Sequence, residues 1–357
     1  MRIAQVAPVI ESVPPERYGG TERVVSWLTE ELVRRGHAVT LFAAGSSRTS
    51  ATLVPVVPYA LRQSDQHYDT VSWRPLEEAL VEERAAEFDI IHSHIDEFAV
   101  TMLNRGVITP VVTTLHGRLD LEDVQRLLAT YPMPAVSISR AQRDPVPSAW
   151  WVANIYHGLP LDRYRPGPGD GDYVVFLGRI SPEKRTHVAI DIAHRAGVRL
   201  VIAAKVDPVD RRYFETLVRP RLSDPLVEFI GEVDEQAKGR LLRHARALLF
   251  PILWPEPFGL AMAEALAYGT PVITRRCGST PEVVADGLVG YVCDDDESLI
   301  DALKQVGRLD RGACRRWAEE HFSVERMTTE YEKVYEMLAT DYPRSPSVSA
   351  SPAHHAA

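Results

Sequence analysis

Short apolar runs rich in β-branched residues alternate along the chain with stretches whose apolar positions recur three and four residues apart. In the first half, Ile3 to Pro8, Ala38 to Ala44, Ile90-Ile91-His92 and Val111 to Leu115 read as strands, and a helix is predicted through Glu22 to Arg35. The rhythm stops around Asp162 to Asp172, where Arg165-Pro-Gly-Pro-Gly-Asp-Gly-Asp172 reads as a turn-rich linker. A second series of strands follows at Tyr173-Val-Val-Phe-Leu177, Arg199 to Ala204, Val227 to Ile230, Ala247 to Pro251, Pro271 to Thr274 and Gly290 to Val292, again with helices between. Strands alternating with helical segments predict parallel sheets, so the fold class is α/β. Two open sheets are expected to face one another, one from residues 1–161 and one from 162–323. A last helix is predicted from Val324 to Leu338, within a segment 324–340, and the Ser-, Pro- and Ala-rich residues 341–357 are expected to be disordered.

Composition narrows the function classes. With 45% apolar and 25% charged residues in 357, the chain has the makeup of a soluble globular protein large enough for two domains. A net charge of -9 argues against a dedicated nucleic-acid binder, which needs a basic face, although basic residues do gather from Arg179 to Arg185. The first residues enter a strand directly and show no secretory leader, and no apolar run approaches membrane-spanning length. Three scattered cysteines, Cys277, Cys293 and Cys314, suit neither a disulfide framework nor a zinc cluster, and a cytoplasmic location is expected.

The candidate chemistry centres on Glu256-Pro-Phe-Gly-Leu-Ala-Met-Ala-Glu264, two carboxylates eight positions apart. Leu260, Ala263 and Ala267 recur at helical spacing, which predicts a helix beginning near residues 257 to 259. Its unpaired N–H groups and positive dipole end suit a phosphate or diphosphate. If the segment is mostly helical, the carboxylates stand roughly 12 Å apart along the axis, a span for an elongated ligand. Arg179 and Lys184 follow a strand at the carboxyl edge of a parallel sheet, where ligands bind, and two cations there can neutralise a diphosphate or form only a solvated patch. Tyr18-Gly19-Gly20-Thr21-Glu22 opens a helix after a long loop, with glycines that let backbone approach a phosphate or simply cap the helix. The chain lacks the Gly-x-Gly-x-x-Gly of a dinucleotide-binding dehydrogenase at its first strand–helix turn.

His116 ends an apolar strand and so also lies at a carboxyl edge, either as a structural residue or beside a reacting group. His92-x-His94-x-Asp96 permits a metal reading, but a short loop at a strand end explains it as well. Asp294-Asp295-Asp296 precedes a helical pattern and reads as a helix cap, so no metal site is predicted.

Glu256 to Glu264, followed by Ala265-Leu-Ala-Tyr-Gly-Thr-Pro-Val-Ile273 and Gly278-Ser-Thr-Pro-Glu-Val-Val284, resembles the donor-binding half of the retaining glycosyltransferases of family 4, as does Gly178-Arg-Ile-Ser-Pro-Glu-Lys184. The likeness spans nearly the whole chain, strongest from Gly178 to Val284 and weaker between Thr49 and Ala86. It implies the GT-B architecture, two Rossmann-like domains facing across an interdomain cleft, with the last helix crossing back to the first domain. It further implies transfer of a hexose from a nucleotide sugar with retained anomeric configuration, needing neither metal nor cofactor. Glu256 would then hold donor-sugar hydroxyls, Glu264 the ribose, and Arg179 with Lys184 the diphosphate. Phe258, Gly259 and Leu260, with Gly19 and Gly20, would surround the donor, and His116 would stand beside the reacting sugar.

His116-Gly-Arg-Leu-Asp120, Val136-Ser-Ile-Ser139, Tyr156-His-Gly-Leu-Pro160 and Ala203-Ala-Lys-Val-Asp207 look most like a bacterial group that includes tetrahydrobiopterin α-glucosyltransferases using UDP-glucose. UDP-glucose is the first donor expected, ahead of GDP-mannose and UDP-N-acetylglucosamine. The acceptor is a hydroxyl compound whose pocket is expected in the first domain. Two rival readings share these features, a nucleotide-sugar 2-epimerase of the same architecture and a non-catalytic sugar-nucleotide binder.

Overall fold

The computed structural model describes residues 1–16, 19–63 and 72–341; Tyr18 of the glycine loop and residues 342–357 of the predicted tail lie outside these. The first sheet contains β1 (Arg2–Val6), β2 (Ala38–Ala44), β3 (Thr52–Val57), β4 (Ile90–Ser93), β5 (Val111–Thr114), β6 (Ala135–Ser137) and β7 (Trp151–Asn154). Their order is β3-β2-β1-β4-β5-β6-β7, every pair parallel. The second sheet contains β8 (Tyr173–Arg179), β9 (Arg199–Lys205), β10 (Val227–Gly231), β11 (Leu248–Phe250), β12 (Val272–Arg275) and β13 (Gly290–Cys293). Its order is β10-β9-β8-β11-β12-β13, also parallel throughout.

The strands that the hydrophobic pattern singles out are all present, and the structure adds β3, β6 and β7. β3 contains Pro55 and is half exposed, which weakens its apolar signal; proline removes a ladder donor and is tolerated here because β3 is an edge strand. β6 and β7 have three and four residues, too few to display a period.

Helices cover both sheets and leave the central strands without solvent contact: Ile3, Ile90, Ile91, Val111 and Val112 in the first, Val175, Phe176, Leu200, Leu248 and Ile273 in the second. The helix Gly20–Arg34 buries Val24, Val25, Leu28 and Leu32. The final helix, Val324–Asp341, leaves the second sheet and packs on the first. Its buried Tyr331 and Tyr335 place their hydroxyls 2.8 Å from Thr114 Oγ1 and 2.7 Å from His92 Nδ1, and Glu332 accepts from Arg35 at 2.6 Å.

Candidate active site

In each sheet the strand order reverses beside its first strand, between β1 and β4 and again between β8 and β11. Helices leave on opposite sides at such a switch point, which opens a crevice outside the strand carboxyl ends. The two crevices face each other and enclose one cleft of about 640 Å³. Gly19, Gly20, His116, Arg179, Lys184, Glu256, Phe258, Gly259, Leu260 and Glu264, the full set singled out from the sequence, all line it.

β8 ends at Arg179, and the chain then makes a short 3-10 turn, Pro182–Lys184, before the helix Thr186–Ala196. Arg185 joins the two in the left-handed region at φ 55°, a conformation that disfavours a side chain by about 1–2 kcal/mol. Its guanidinium is fixed on Asp296 at 2.9 and 3.1 Å. The turn directs Lys184 inward, where its ammonium donates to Glu256 Oε2 and lies 5.0 Å from the ring centres of Phe250 and Trp254. Trp254 Nε1 donates to the same carboxylate oxygen at 2.9 Å. Arg179 pairs with Glu183 at 2.7 Å and approaches Asp210 at 3.6 Å.

Glu256 does not sit on a helix. The helix spans Leu260–Ala267, with Gly259 as a left-handed N-cap at φ 78°, so Pro257 and Phe258 lie outside it and the predicted start is too early. Proline at 257 and the left-handed glycine hold the preceding residues in a loop, and the helical rise does not apply between the two carboxylates. A Cβ on Gly259 would approach Met262 Cε to 2.3 Å. Glu264 lies within the helix, buried, and accepts from Lys238 Nζ at 2.6 Å and Tyr164 OH at 3.3 Å.

On the first-domain side, Gly19 caps the helix Gly20–Arg34 so closely to Pro15 that a Cβ would lie 2.8 Å from its ring. Beside it, Glu22 and Glu11 have their carboxyls raised above the ordinary range, chiefly by burial. Arg23, from the same helix, reaches across the cleft to Glu235 of the helix Glu235–His244 at 2.7 Å.

His116 follows β5 and belongs to a buried chain of hydrogen bonds. Its Nε2 lies 2.9 Å from His94 Nδ1, and His94 Nε2 lies 2.8 Å from Gln5 Oε1. Gln5 Nε2 donates to Tyr335 OH at 3.1 Å, which leaves Gln5 Oε1 as the acceptor in this chain. The proton therefore sits on His94 Nε2, and His94 Nδ1 accepts from His116 Nε2–H. Burial pushes the His116 pKa down to about 3, so the ring is neutral and its Nδ1 is a bare acceptor, buried with no partner. His92 engages Tyr335 and Thr114 through its two nitrogens, so the pair His92 and His94 is occupied by this network. Among the described residues no group of three His, Cys, Asp or Glu side chains can hold a metal ion. In the acidic triplet, Asp295 caps the helix Asp296–Gln305 in a capping box with Ser298, and Asp294 and Asp296 pair with arginines.

Sequence reasoning missed several contributors. Lys238, on an otherwise polar helix, looks like a solvated cation until the fold brings it to Glu264. Gly278 has φ 54°, and a Cβ there would lie 2.4 Å from the backbone N of Glu256, so this glycine shapes the Glu256 loop from behind. The Gly278-Ser-Thr-Pro turn was visible, but its partner across the fold was not.

A parallel two-sheet molecule with its polar groups gathered in the interdomain cleft has the GT-B architecture. Comparison with known proteins agrees: residues 18–159 match Glycosyltransferase Family 4 and residues 163–322 match Glycosyl transferases group 1. The chain carries both domains and is a glycosyltransferase of this two-domain type. It is 25% identical to a D-inositol 3-phosphate glycosyltransferase of Mycolicibacterium smegmatis, over 85% of this chain and 82% of that one. It is 26% identical to a phosphatidyl-myo-inositol mannosyltransferase of the same organism, over 88% and 86%. Among solved structures, AviGT4, a glycosyltransferase involved in avilamycin A biosynthesis, superposes with a TM-score of 0.71 at 26% identity, covering 96% of this chain and 98% of its own.

Proposed function

We propose that this glycosyltransferase moves a hexose, glucose from UDP-glucose in the first instance, to a hydroxyl acceptor with retention of anomeric configuration. The observation that carries the donor site is the pairing, in one cleft, of Lys184 with Glu256 and of Lys238 with Glu264, on either side of the helix start at Gly259. Lys184 and Arg179 meet the diphosphate, with the first-turn residues Leu260 and Ala261 beside them. Glu256 accepts from the sugar hydroxyls and Glu264 from the ribose. His116, neutral and with a bare Nδ1, accepts from a substrate hydroxyl beside the reacting carbon. The departing phosphate oxygen takes the acceptor proton on the same face of the sugar, so the C–O bond to the diphosphate breaks as the bond to the acceptor forms. Closure of the two domains keeps water from competing. Glucose and UDP rest on the likeness of the His116-to-Asp120 and Tyr156-to-Pro160 segments to the tetrahydrobiopterin α-glucosyltransferase group; the mannosyltransferase relative keeps GDP-mannose as the second donor.

Calorimetric titration with UDP, GDP and ADP, followed by hydrolysis and transfer assays with the matching sugar nucleotide, tests the reading. Selective UDP binding and a glucosylated product support it. Binding of none of the three overturns the donor site. An epimerised sugar released without acceptor assigns the epimerase reaction instead, and donor binding without turnover across an acceptor panel assigns a binding protein.

A further inference from the structure

Beside the main cleft lies a smaller pocket of about 290 Å³. The two share five lining residues, His116 among them, so whatever occupies the smaller pocket adjoins the reaction centre. The rest of its described wall comes from the loop after β4, His94 to Glu97, and from Trp73 and Arg74 at the start of the helix Trp73–Arg84. Its size is at the low end of the roughly 300–1,000 Å³ typical of small-molecule sites, room for one ring.

The polar groups of this pocket are lopsided. Arg74 is the cation of its described wall, and that charge is already matched by an ion pair with Glu97. Burial raises the Asp96 pKa to about 6 against the opposing pull of the His116 backbone N–H and of the Arg74 charge, which leaves it mostly ionised at neutral pH. His116 Nδ1 adds an acceptor, buried and without a partner. His94 is neutral by burial and spends both nitrogens in the hydrogen-bond chain. The described wall thus offers bare acceptors in Asp96 and His116 Nδ1, one bare donor in Trp73 Nε1–H, and a net negative charge. Hydroxyl groups, which both donate and accept, satisfy such a wall, and apolar ring faces pack on Trp73 and Ile95. A phosphate or carboxylate would meet the net negative charge of this wall, where among the described lining residues Arg74 is the one cation and is shared between Glu97 and Asp96.

We infer that this pocket holds the sugar acceptor, and that the acceptor is a neutral polyol gripped through its hydroxyls by Asp96. The inference rests on the transferase reading above. It sets this chain apart from the relative named for inositol 3-phosphate, whose acceptor carries a phosphate.

The experiment compares matched acceptors, myo-inositol with inositol 3-phosphate and glucose with glucose 6-phosphate, using whichever of UDP-glucose and GDP-mannose the enzyme hydrolyses. Products are identified by mass spectrometry. At least one neutral member is expected to be glycosylated, with kcat/KM at least tenfold above its phosphorylated counterpart. Asp96→Asn should raise the KM for that acceptor tenfold or more, while the Kd for UDP and the melting temperature stay within error of wild type. A preference for the phosphorylated member, a panel in which no neutral polyol accepts sugar, or an unchanged KM in Asp96→Asn overturns the inference. If UDP binding and donor hydrolysis persist in those cases, the transferase reading stands and the polyol assignment alone falls. If both are absent in the wild type, the two fall together.

Discussion

Glu256→Gln should tighten UDP binding while suppressing transfer. In the cleft Lys184 donates to Glu256, and the two side chains are only 14% and 10% exposed, so the pair is weakly screened. On the proposed reading UDP recruits Lys184 to its diphosphate and must draw it from that carboxylate. Against an amide the Lys184 ammonium stays charged and keeps a charge-assisted hydrogen bond, so it loses only the attraction of an opposite charge, on the order of 1–2 kcal/mol for a pair between the exposed and fully buried limits. Replacing the carboxylate by an amide therefore lowers the cost of releasing Lys184 by about 1–2 kcal/mol, or roughly 5–30-fold in Kd. Trp254 Nε1 keeps an acceptor in the amide oxygen, and the aromatic contacts of Lys184 are untouched. Calorimetry at low and high salt reads the effect, which should shrink as salt screens the charge. Transfer should fall at least tenfold, because the sugar loses a charged acceptor. UDP binding that weakens threefold or more in Glu256→Gln, with the melting temperature unchanged, would refute the exchange of Lys184 between carboxylate and diphosphate.

Other perturbations test neighbouring parts of the structure. Lys238→Met leaves Glu264 buried without its cation and should destabilise the protein by about 3 kcal/mol in urea unfolding, with Glu264→Gln in the same chain recovering most of the loss. Gly278→Ala forces a Cβ against the backbone of Glu256 and should lower stability by about 1–3 kcal/mol and reduce turnover by more than it weakens UDP binding. Glu77 is fully buried, neither carboxyl oxygen has a partner, and burial raises its pKa well above 4.5, so the folded state holds its proton more tightly than the unfolded one. Stability from this proton is present below pH 4.5 and is lost as pH rises toward the folded value, so Glu77→Met should raise the melting temperature relative to wild type at pH 8 and little at pH 4.5. Arg23→Ala removes the ion pair to Glu235 across the cleft and should enlarge the radius of gyration by small-angle scattering without UDP; an unchanged radius would show that this pair does not hold the domains together.

How much of this was legible in the chain follows from the range of each interaction. β2, from Ala38 to Ala44, is apolar except for Thr40, and the local pattern locates it to the residue. The helix start at residue 260 was misplaced because Pro257 is a good first-turn residue by local rules, whereas the left-handed Gly259 and the contact with Gly278 keep the chain in a loop. Arg179, Lys184, Glu256 and Glu264 could be singled out because each sits in a motif next to a strand end. Lys238 and Tyr164 could not, since their partner Glu264 is 26 and 100 residues away and neither stands in a recognisable string. The His94–Gln5 step behind His116 was invisible for the same reason: Gln5 lies inside β1, an apolar strand where a lone amide looks incidental, and only the β1–β4 pairing brings it to the histidines.

The cleft cations have a common arrangement: Lys184 with Glu256, Lys238 with Glu264 and Arg179 with Glu183 each have a carboxylate within reach. A cation held this way is costly to leave bare and yet is not stabilised so far that a diphosphate cannot take it, since the exchange trades one charged hydrogen bond for another. The exchange also has a second product. Each carboxylate that gives up its cation becomes an acceptor at the moment the donor arrives, and on the proposed reading the groups within reach of Glu256 and Glu264 are then sugar and ribose hydroxyls, which donate. Pyrophosphate alone would draw Lys184 but leave Glu256 bare, and a free sugar would find that carboxylate still occupied. A molecule carrying diphosphate and hydroxyls together satisfies both halves of the Lys184–Glu256 pair. UDP-glucose should therefore bind more tightly than UDP, and in the Glu256→Gln, Glu264→Gln double variant that margin should shrink.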